Sequence, residues 1–443
     1  MSKLKVYKFS DLYKMSSGIS SKPEQAGHGS QFVSFKTVFN NYFLPEVLTE
    51  FMDISEKEKE IYSIKKGDIL LTRTSETLDE LGMSCVAVKD YPSSSYSGFL
   101  KRLRPNQNGV TYDKYLAFYL RSDLFRKTMT NNSIMTLRAS LNEQIFSYLE
   151  LILPDFNEQK KAGDLLYSLN QKIELNNKIN AELEAMAKTL YDYWFVQFDF
   201  PFDFAQDKPD ANGKPYKSSG GKMVYNEELK REIPEGWEVK SLLDVANFTN
   251  GLACQKFRPK ENEDFYRVIK IREMGSGFTD NSEFVSTTIP ERVVINNGDI
   301  LFSWSATLDV KIWTGGKGAL NQHIFKVTSN KYPNSYYYYE LLNYLQHFKM
   351  QAELRKTTMG HITQDHLKQS RITIPPIDLI KKLDSIIHPI LEKKVKLEEE
   401  NQQLASLRDW LLPMLMNGQV RVGEVDEELD MVAEPRESYG NKS

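Results

Sequence analysis

The chain has 443 residues, 40% of them hydrophobic and 12% aromatic, which is too long for one ordinary core and too apolar for a disordered chain, so roughly two to four domains are expected. A formal net charge of −3 excludes a broadly cationic surface, and any nucleic-acid binding must rely on local patches. Two isolated cysteines (Cys85, Cys254), no run of about 18 apolar residues and an N-terminus without an apolar core predict a reduced, cytoplasmic protein outside the membrane.

In chain order, the first element is "FSDLYKMSSG" (Phe9 to Gly18). "IKKGDILLTRTSETL" follows from Ile64, with short β-leaning runs such as "AVKDY" and then the helix-like "YDKYLAFYLRSDLFRKTM". After "LILPDFNEQKK" at Leu151 comes a long helical pattern. The same plan then repeats. "LLDVANFTNG" (Leu242 to Gly251) lies 233 positions after the first element, "INNGDILFSWSATL" at Ile295 lies 231 after its counterpart, and "ITIPPIDLIKK" at Ile372 lies 221 after Leu151. Small drifts in the offset mean short insertions inside one duplicated unit, not the short period of a solenoid. The run Tyr336 to Tyr339 reads as a helix packed on a sheet rather than a base-stacking platform. GDIL itself reads as a turn and a buried strand needed by both copies, and the text after it, which diverges, as the adjustable part.

The expected fold is α+β with internal duplication. Residues 1–155 form a first mixed α/β domain, 156–198 a long helix and 199–233 a Pro/Gly/Ser-rich linker. Residues 234–377 form the second domain, 378–418 a second long helix and 419–443 an acidic tail read as disordered. Residues 1–155 and 222–377 each carry 20 Lys/Arg against 18 Asp/Glu, so the excess acid lies elsewhere, chiefly in that tail.

The long helices have an apolar seam stepping by alternating four and three, as in a coiled coil. In the first it includes Leu169, Ile173, Asn180, Leu183 and Leu190, and in the second Ile390, Leu397, Asn401, Leu404 and Leu411. Helices this polar are not stable alone, so they are expected to pack on each other. Asn180 and Asn401 take the same step of the seam, where an asparagine fixes register, unless both face solvent.

Catalytic tools are missing. There is no G-x-x-x-x-G-K-[ST], no strand followed by G-x-G-x-x-G, no G-x-S-x-G, and no Asn/Asp-Pro-Pro-Tyr/Phe run. His361 and His366 are five apart, a poor spacing for sharing a metal on one helix face. No catalytic residue and no metal ligand is assigned. Recognition residues are better represented. After GDIL come Arg73, Thr74 and Ser75 in the first copy and Ser303, Trp304 and Ser305 in the second; short hydroxyls reach phosphates and arginine reads guanine. Asn321 and Gln322 are of the type that pairs bidentately with adenine. Arg138 in the first copy and Lys356, Thr357 and Thr358 in the second are placed to clamp a backbone.

The order GDIL, "NQHIFKV", "ITQDHLKQSRITIPPIDLIKKL" and long helix, with its earlier counterpart and the central "LYDYWFVQFDFPF…GKPYKSSGGKMVYNEELKREIPEGWEVKSL", resembles the specificity subunit of type I restriction-modification systems over nearly the whole chain. In the first copy "SSYSGFLKRLRP" stands roughly where the second has "NQHIF". The resemblance implies two target-recognition domains reading the halves of a split double-stranded DNA target, held apart by an antiparallel pair of helices. Lengthening or shortening those helices is expected to alter the spacer, not the half-sites. It further implies a complex with two modification (methyltransferase) subunits and with restriction subunits. The chain itself is expected to be non-catalytic and without cofactors, with S-adenosylmethionine, ATP and Mg2+ on the partner subunits. Two alternatives remain at this point: a recognition subunit of a type II restriction-methyltransferase enzyme, and a two-domain protein-binding adaptor that does not bind DNA.

Overall fold

The structure is a computed structural model that describes residues 4–20, 22–75, 81–132, 139–210, 212–354 and 361–423. The chain divides into two units, residues 1–172 with 404–443, and residues 173–403. The acidic stretch 424–443 lies outside the described residues.

In the first unit, a four-stranded sheet has the order Tyr13–Ser17, Leu100–Pro105, Ile69–Thr72, Ser84–Val86. A second sheet pairs Glu50–Met52, Ala26–Val33 and Ser95–Tyr96, and Lys5–Lys8 pairs antiparallel with Glu150–Leu153. The second unit repeats the first sheet's order with Asn247–Asn250, Ile324–Thr328, Ile300–Ser303 and Asp309–Ile312. Its other four-stranded sheet holds Phe284–Ser286, Phe265–Ile269, Gly318–Leu320 and Val294–Ile295, while Glu238–Lys240 pairs with Ile372–Ile374. The duplication of sequence is thus a duplication of topology.

GDIL is unbroken in its hydrophobicity because its strand is buried on both faces. Ile69 and Leu71 enter one core and Leu70 another, and Ile300 and Phe302 are divided from Leu301 in the same way; alternate side chains of a strand point to opposite faces. The turn before it is also the same twice. Gly67 and Gly298 have φ of +85° and +91°, the left-handed region that favours glycine. The following aspartate caps the turn, with Asp68 Oδ2 accepting from Lys65 N at 2.8 Å and Asp299 Oδ2 from Asn296 N at 2.8 Å. A second matched pair of glycines marks a close approach of backbones. A Cβ at Gly18 would lie 2.1 Å from the Ser97 carbonyl oxygen, and one at Gly251 2.2 Å from that of Asn321.

Tyr336 to Tyr339 are all buried in the helix Asn334–Leu354 and belong to the core of the second unit. The long helices run over Phe156–Tyr191 and Ile377–Met416, the first continuing into a π-helical turn at Asp192–Val196. Two features differ from the reading of the sequence. Residues 199–233, read as a linker, contain the strands Pro201–Asp203, Lys208–Pro209, Lys214–Pro215, Met223–Asn226 and Arg231–Pro234. Phe200 stacks on Tyr216 with ring centroids 4.7 Å apart and on Trp237 at 5.6 Å, so aromatic burial overrides a turn-rich composition. The end of the second helix also belongs to the first unit, where Leu415 and Met416 share a core with Ala162 and Leu166. Helical periodicity identifies an apolar face but not the domain that covers it.

Candidate nucleic-acid interface

The equivalent sheets fix which residues correspond between the copies. In the first unit Arg73 follows the GDIL strand, and its N–H donates to the Phe99 carbonyl at 2.8 Å. In the second, Trp304 N donates to the His323 carbonyl at 3.3 Å. The next link is matched too, Leu141 N to Arg73 O at 2.8 Å and Ile362 N to Trp304 O at 2.9 Å. Parallel bridges join Ile19 to Ser97 and Leu252 to Asn321. Ser97-Gly98-Phe99 is therefore the counterpart of Asn321-Gln322-His323, at an offset of 224 (321 minus 97).

The side chains on this shared frame differ. Arg73 is exposed and its Nη1 donates to the Gly98 carbonyl at 3.4 Å. Beside it Lys101 is 8% exposed and donates from Nζ to Ser17 Oγ at 2.8 Å. Burial, and then the charge of Arg73, hold its ammonium below the ordinary lysine value, and Glu143 opposes them. Phe99, at the tip of the turn, is 62% exposed.

In the second unit Trp304 is flanked by two histidines, its ring centroid 5.6 Å from that of His323 and 5.6 Å from that of His361. Its indole N–H donates to Asn250 Oδ1 at 3.2 Å. Gln322 Nε2 lies 3.3 Å from His323 Nε2, and His323 Nδ1 is buried with no hydrogen-bond partner among the described residues.

Of the residues singled out from the sequence, Arg73 is exposed in the first unit, and Trp304 and Gln322 are half-buried in the second. Ser303 is buried and turned inward, its Oγ donating to the Thr307 carbonyl at 2.5 Å and accepting from Asp309 N at 2.9 Å. Ser305 and Asn321 are also buried, and Asn321 Oδ1 accepts from His323 N at 3.4 Å. These three shape the turns that present their neighbours. Thr74 is half-buried and pairs with Ser140 across a short ladder, and Ser75 pairs with Ala139 by its backbone. Arg138, Lys356, Thr357 and Thr358 lie outside the described residues. Phe99, Lys101, Asn250 and His323 are not singled out by the sequence, and His361 is weighed there only as a metal ligand. The available signal was the match of "FLKRLRP" to "HIFKVTS", hidden by the change of offset from 231 at GDIL to 224 here.

The helix residues singled out lie on the inner side of their helices: Asn180 and Leu397 are buried, and Leu169, Ile173, Leu183, Leu190, Ile390, Asn401, Leu404 and Leu411 are half-buried. Within the second unit the helices run antiparallel. Asn176 Nδ2 donates to Asn401 Oδ1 at 2.9 Å and to Glu400 Oε2 at 2.8 Å, Asn401 Nδ2 donates to Asn177 Oδ1 at 2.8 Å, and Lys394 Nζ donates to Glu184 Oε2 at 2.8 Å. Asn180 does not meet Asn401. Its amide is 6% exposed and neither of its polar atoms has a partner among the described residues.

Both cysteines are buried, and burial pushes the Cys254 thiol up to about 11, so it is not a reactive thiolate. Among the described residues no group of three or more His, Cys, Asp or Glu is arranged to hold a metal, and no helix is long and apolar enough to cross a membrane.

Fold and site together define a class: a tandem-duplicated α+β protein whose copies keep one frame and vary the side chains it displays. The chain belongs to the family described as type I restriction modification DNA specificity domain, whose profile matches residues 1–185 and 234–406. It is similar to the type I restriction enzyme MjaIX specificity subunit of Methanocaldococcus jannaschii, 26% identical over 379 residues, which cover 83% of this chain and 81% of that protein. It is also similar to the HindI specificity subunit of Haemophilus influenzae, 26% identical over 442 residues, covering 88% and 94%. The crystal structure of a type I restriction-modification S subunit from M. genitalium shares the fold, with a TM-score of 0.58 at 12% identity over 94% of this chain and 96% of that one. Proteins of this kind are specificity components of restriction-modification complexes, not catalysts by themselves.

Proposed function

We propose that this chain is the DNA-reading subunit of a cytoplasmic type I restriction-modification complex. Each unit reads one half of a bipartite duplex target, and the paired long helices set the separation of the halves. Two modification subunits and the restriction subunits dock on the chain and carry S-adenosylmethionine, ATP and Mg2+; this chain holds none of them. Its sequence specificity comes from base contacts in the major groove and its general affinity from lysine and arginine on phosphates.

The observation that carries this reading is the matched pair of displays, Arg73 with its neighbours in one copy and Trp304 with its neighbours in the other, on a frame otherwise kept the same. A repeated frame with unlike displayed residues suits a target whose two halves differ.

The test is made on the complex purified with its co-expressed partner subunits. Its affinity for random-sequence duplex is expected to fall steeply with salt, and the methylated adenines it produces on genomic DNA are expected to lie in one two-part motif. A salt-independent affinity, or methylation without a two-part motif, removes the reading. Partners that co-purify as one polypeptide bearing both nuclease and methyltransferase place the chain in a type II enzyme instead.

A further inference from the structure

We propose that the turn tips at Ser97–Phe99 and Asn321–His323 are specificity-determining elements, with Phe99 and the Trp304–His323 pair touching bases of the two half-sites. This rests on the DNA-reading role proposed above and assigns that role to side chains.

Phe99 carries the argument in the first unit. It is 62% exposed although Leu100, the next residue, is fully buried. A phenylalanine displayed in this way adds nothing to the core, and nothing about the turn requires an apolar residue there. The turn is rigid. Gly98 N donates to Ile19 O at 2.7 Å, Leu100 N to Ser97 O at 2.9 Å and Phe99 N to Ser97 Oγ at 3.2 Å, while Arg73 N holds the Phe99 carbonyl at 2.8 Å. Arg73 supplies an exposed positive charge beside the ring, and Lys101 a second, more buried one. An exposed aromatic ring set among cations on a braced turn fits an anionic partner with apolar surface, and a duplex offers both in phosphates and thymine methyl groups.

The second unit supplies the independent observation. There Trp304 stands at the position of Arg73 and His323 at that of Phe99, with His361 also against the indole and Asn250 holding its N–H. His323 Nδ1 is unpartnered and buried among the described residues. Two copies that have kept the same glycine approaches and carbonyl bridges have placed an aromatic group at the same point and changed everything else about it. Phe99 makes an apolar base contact backed by Arg73, and Trp304–His323 makes a stacked, hydrogen-bonding one.

The experiment uses the full chain in its complex with the partner subunits, S-adenosylmethionine and genomic DNA from a methylation-free strain as the probe, with methylated adenines mapped. Phe99→Ala is expected to relax base preference at one or two positions of one half-site and to slow methylation of the wild-type motif roughly 5- to 150-fold, the range of one lost base contact. His323→Ala is expected to do the same in the other half-site only, and His323→Gln, which keeps a hydrogen-bonding side chain in the half-buried position, guards against a folding defect. An unchanged motif with rates within about twofold for both alanine variants overturns the proposal, as does equal loss in both halves. Loss of partner co-purification with an unaltered motif also overturns it, because the tips then dock protein and not bases. A wild-type complex that yields no two-part motif instead removes the underlying DNA-reading assignment.

Discussion

Glu340 is 8% exposed in the aromatic core of the second unit and accepts a 2.6 Å hydrogen bond from the Tyr191 hydroxyl. Burial pushes its carboxyl up from 4.5 to about 7, opposed by the Tyr191 hydrogen bond and Arg231 and reinforced by Asp192. The folded state therefore holds a proton that the unfolded chain releases near 4.5, so stability falls as pH rises through the window from 4.5 to about 7. The full shift corresponds to at most roughly 3 kcal/mol. Calorimetric scans from pH 5 to 8 are expected to show a falling midpoint for the second unit, and Glu340→Gln is expected to flatten that slope. An equal slope in the variant would assign the pH dependence to another group. The same scale governs the displayed residues: hydroxyl and amide side chains in a recognition-like string can face either way, and Ser303 and Asn321 face inward.

At the scale of elements, the long helices join through unlike asparagines. Asn176 is buried and its Nδ2 donates to Asn401 and Glu400, while its Oδ1 has no partner among the described residues. The antiparallel register that sets 176 against 401 places Leu397 opposite Asn180, whose amide finds no partner among the described residues. A buried unsatisfied amide costs about 1–3 kcal/mol. Asn180→Leu is accordingly expected to raise the unfolding midpoint by a few degrees, about 1 kcal/mol, and Asn176→Leu to lower it by a similar amount because Asn401 and Glu400 lose a donor. Thermal denaturation of the two variants side by side decides this; a destabilised Asn180→Leu would mean that the amide has a partner in solution. The seam's four-and-three stepping was legible in the sequence. Which asparagine donates across the helix pair was not, because offset 221 aligns the copies in sequence whereas bonding depends on the antiparallel register.

At the scale of the molecule, the first unit is completed by residues from the far end of the chain. Leu415 and Met416 are 4% and 1% exposed and pack in the same core as Leu151, Ala162 and Leu166. Leu415→Ala is expected to cost about 2–5 kcal/mol, the range for a truncated core leucine. Its effect is expected in the first unit, as lost hydrogen-exchange protection in the strand Glu150–Leu153, while Glu238–Lys240 keeps its protection. Loss of protection in the second strand alone would contradict the division into units. Removing residues after 403 is for the same reason expected to unfold the N-terminal unit, which no reading by proximity in the chain would suggest.

The sequence by itself determined the duplication, the turn and strand of GDIL, the two long helices and the absence of familiar catalytic motifs, because each is written in local spacing and side-chain type. Tertiary structure decided what the periods cannot encode. It folded the stretch from Phe200 to Tyr216 around stacked rings, sent Leu415 to the first unit, turned Ser303 and Asn321 inward, and set Phe99 on a turn tip at the position that His323 takes in the other copy. A repeat of two or of 3.6 residues says which face of an element is apolar. Which partner covers that face, and which side chain is left displayed, depends on pairings made across hundreds of residues.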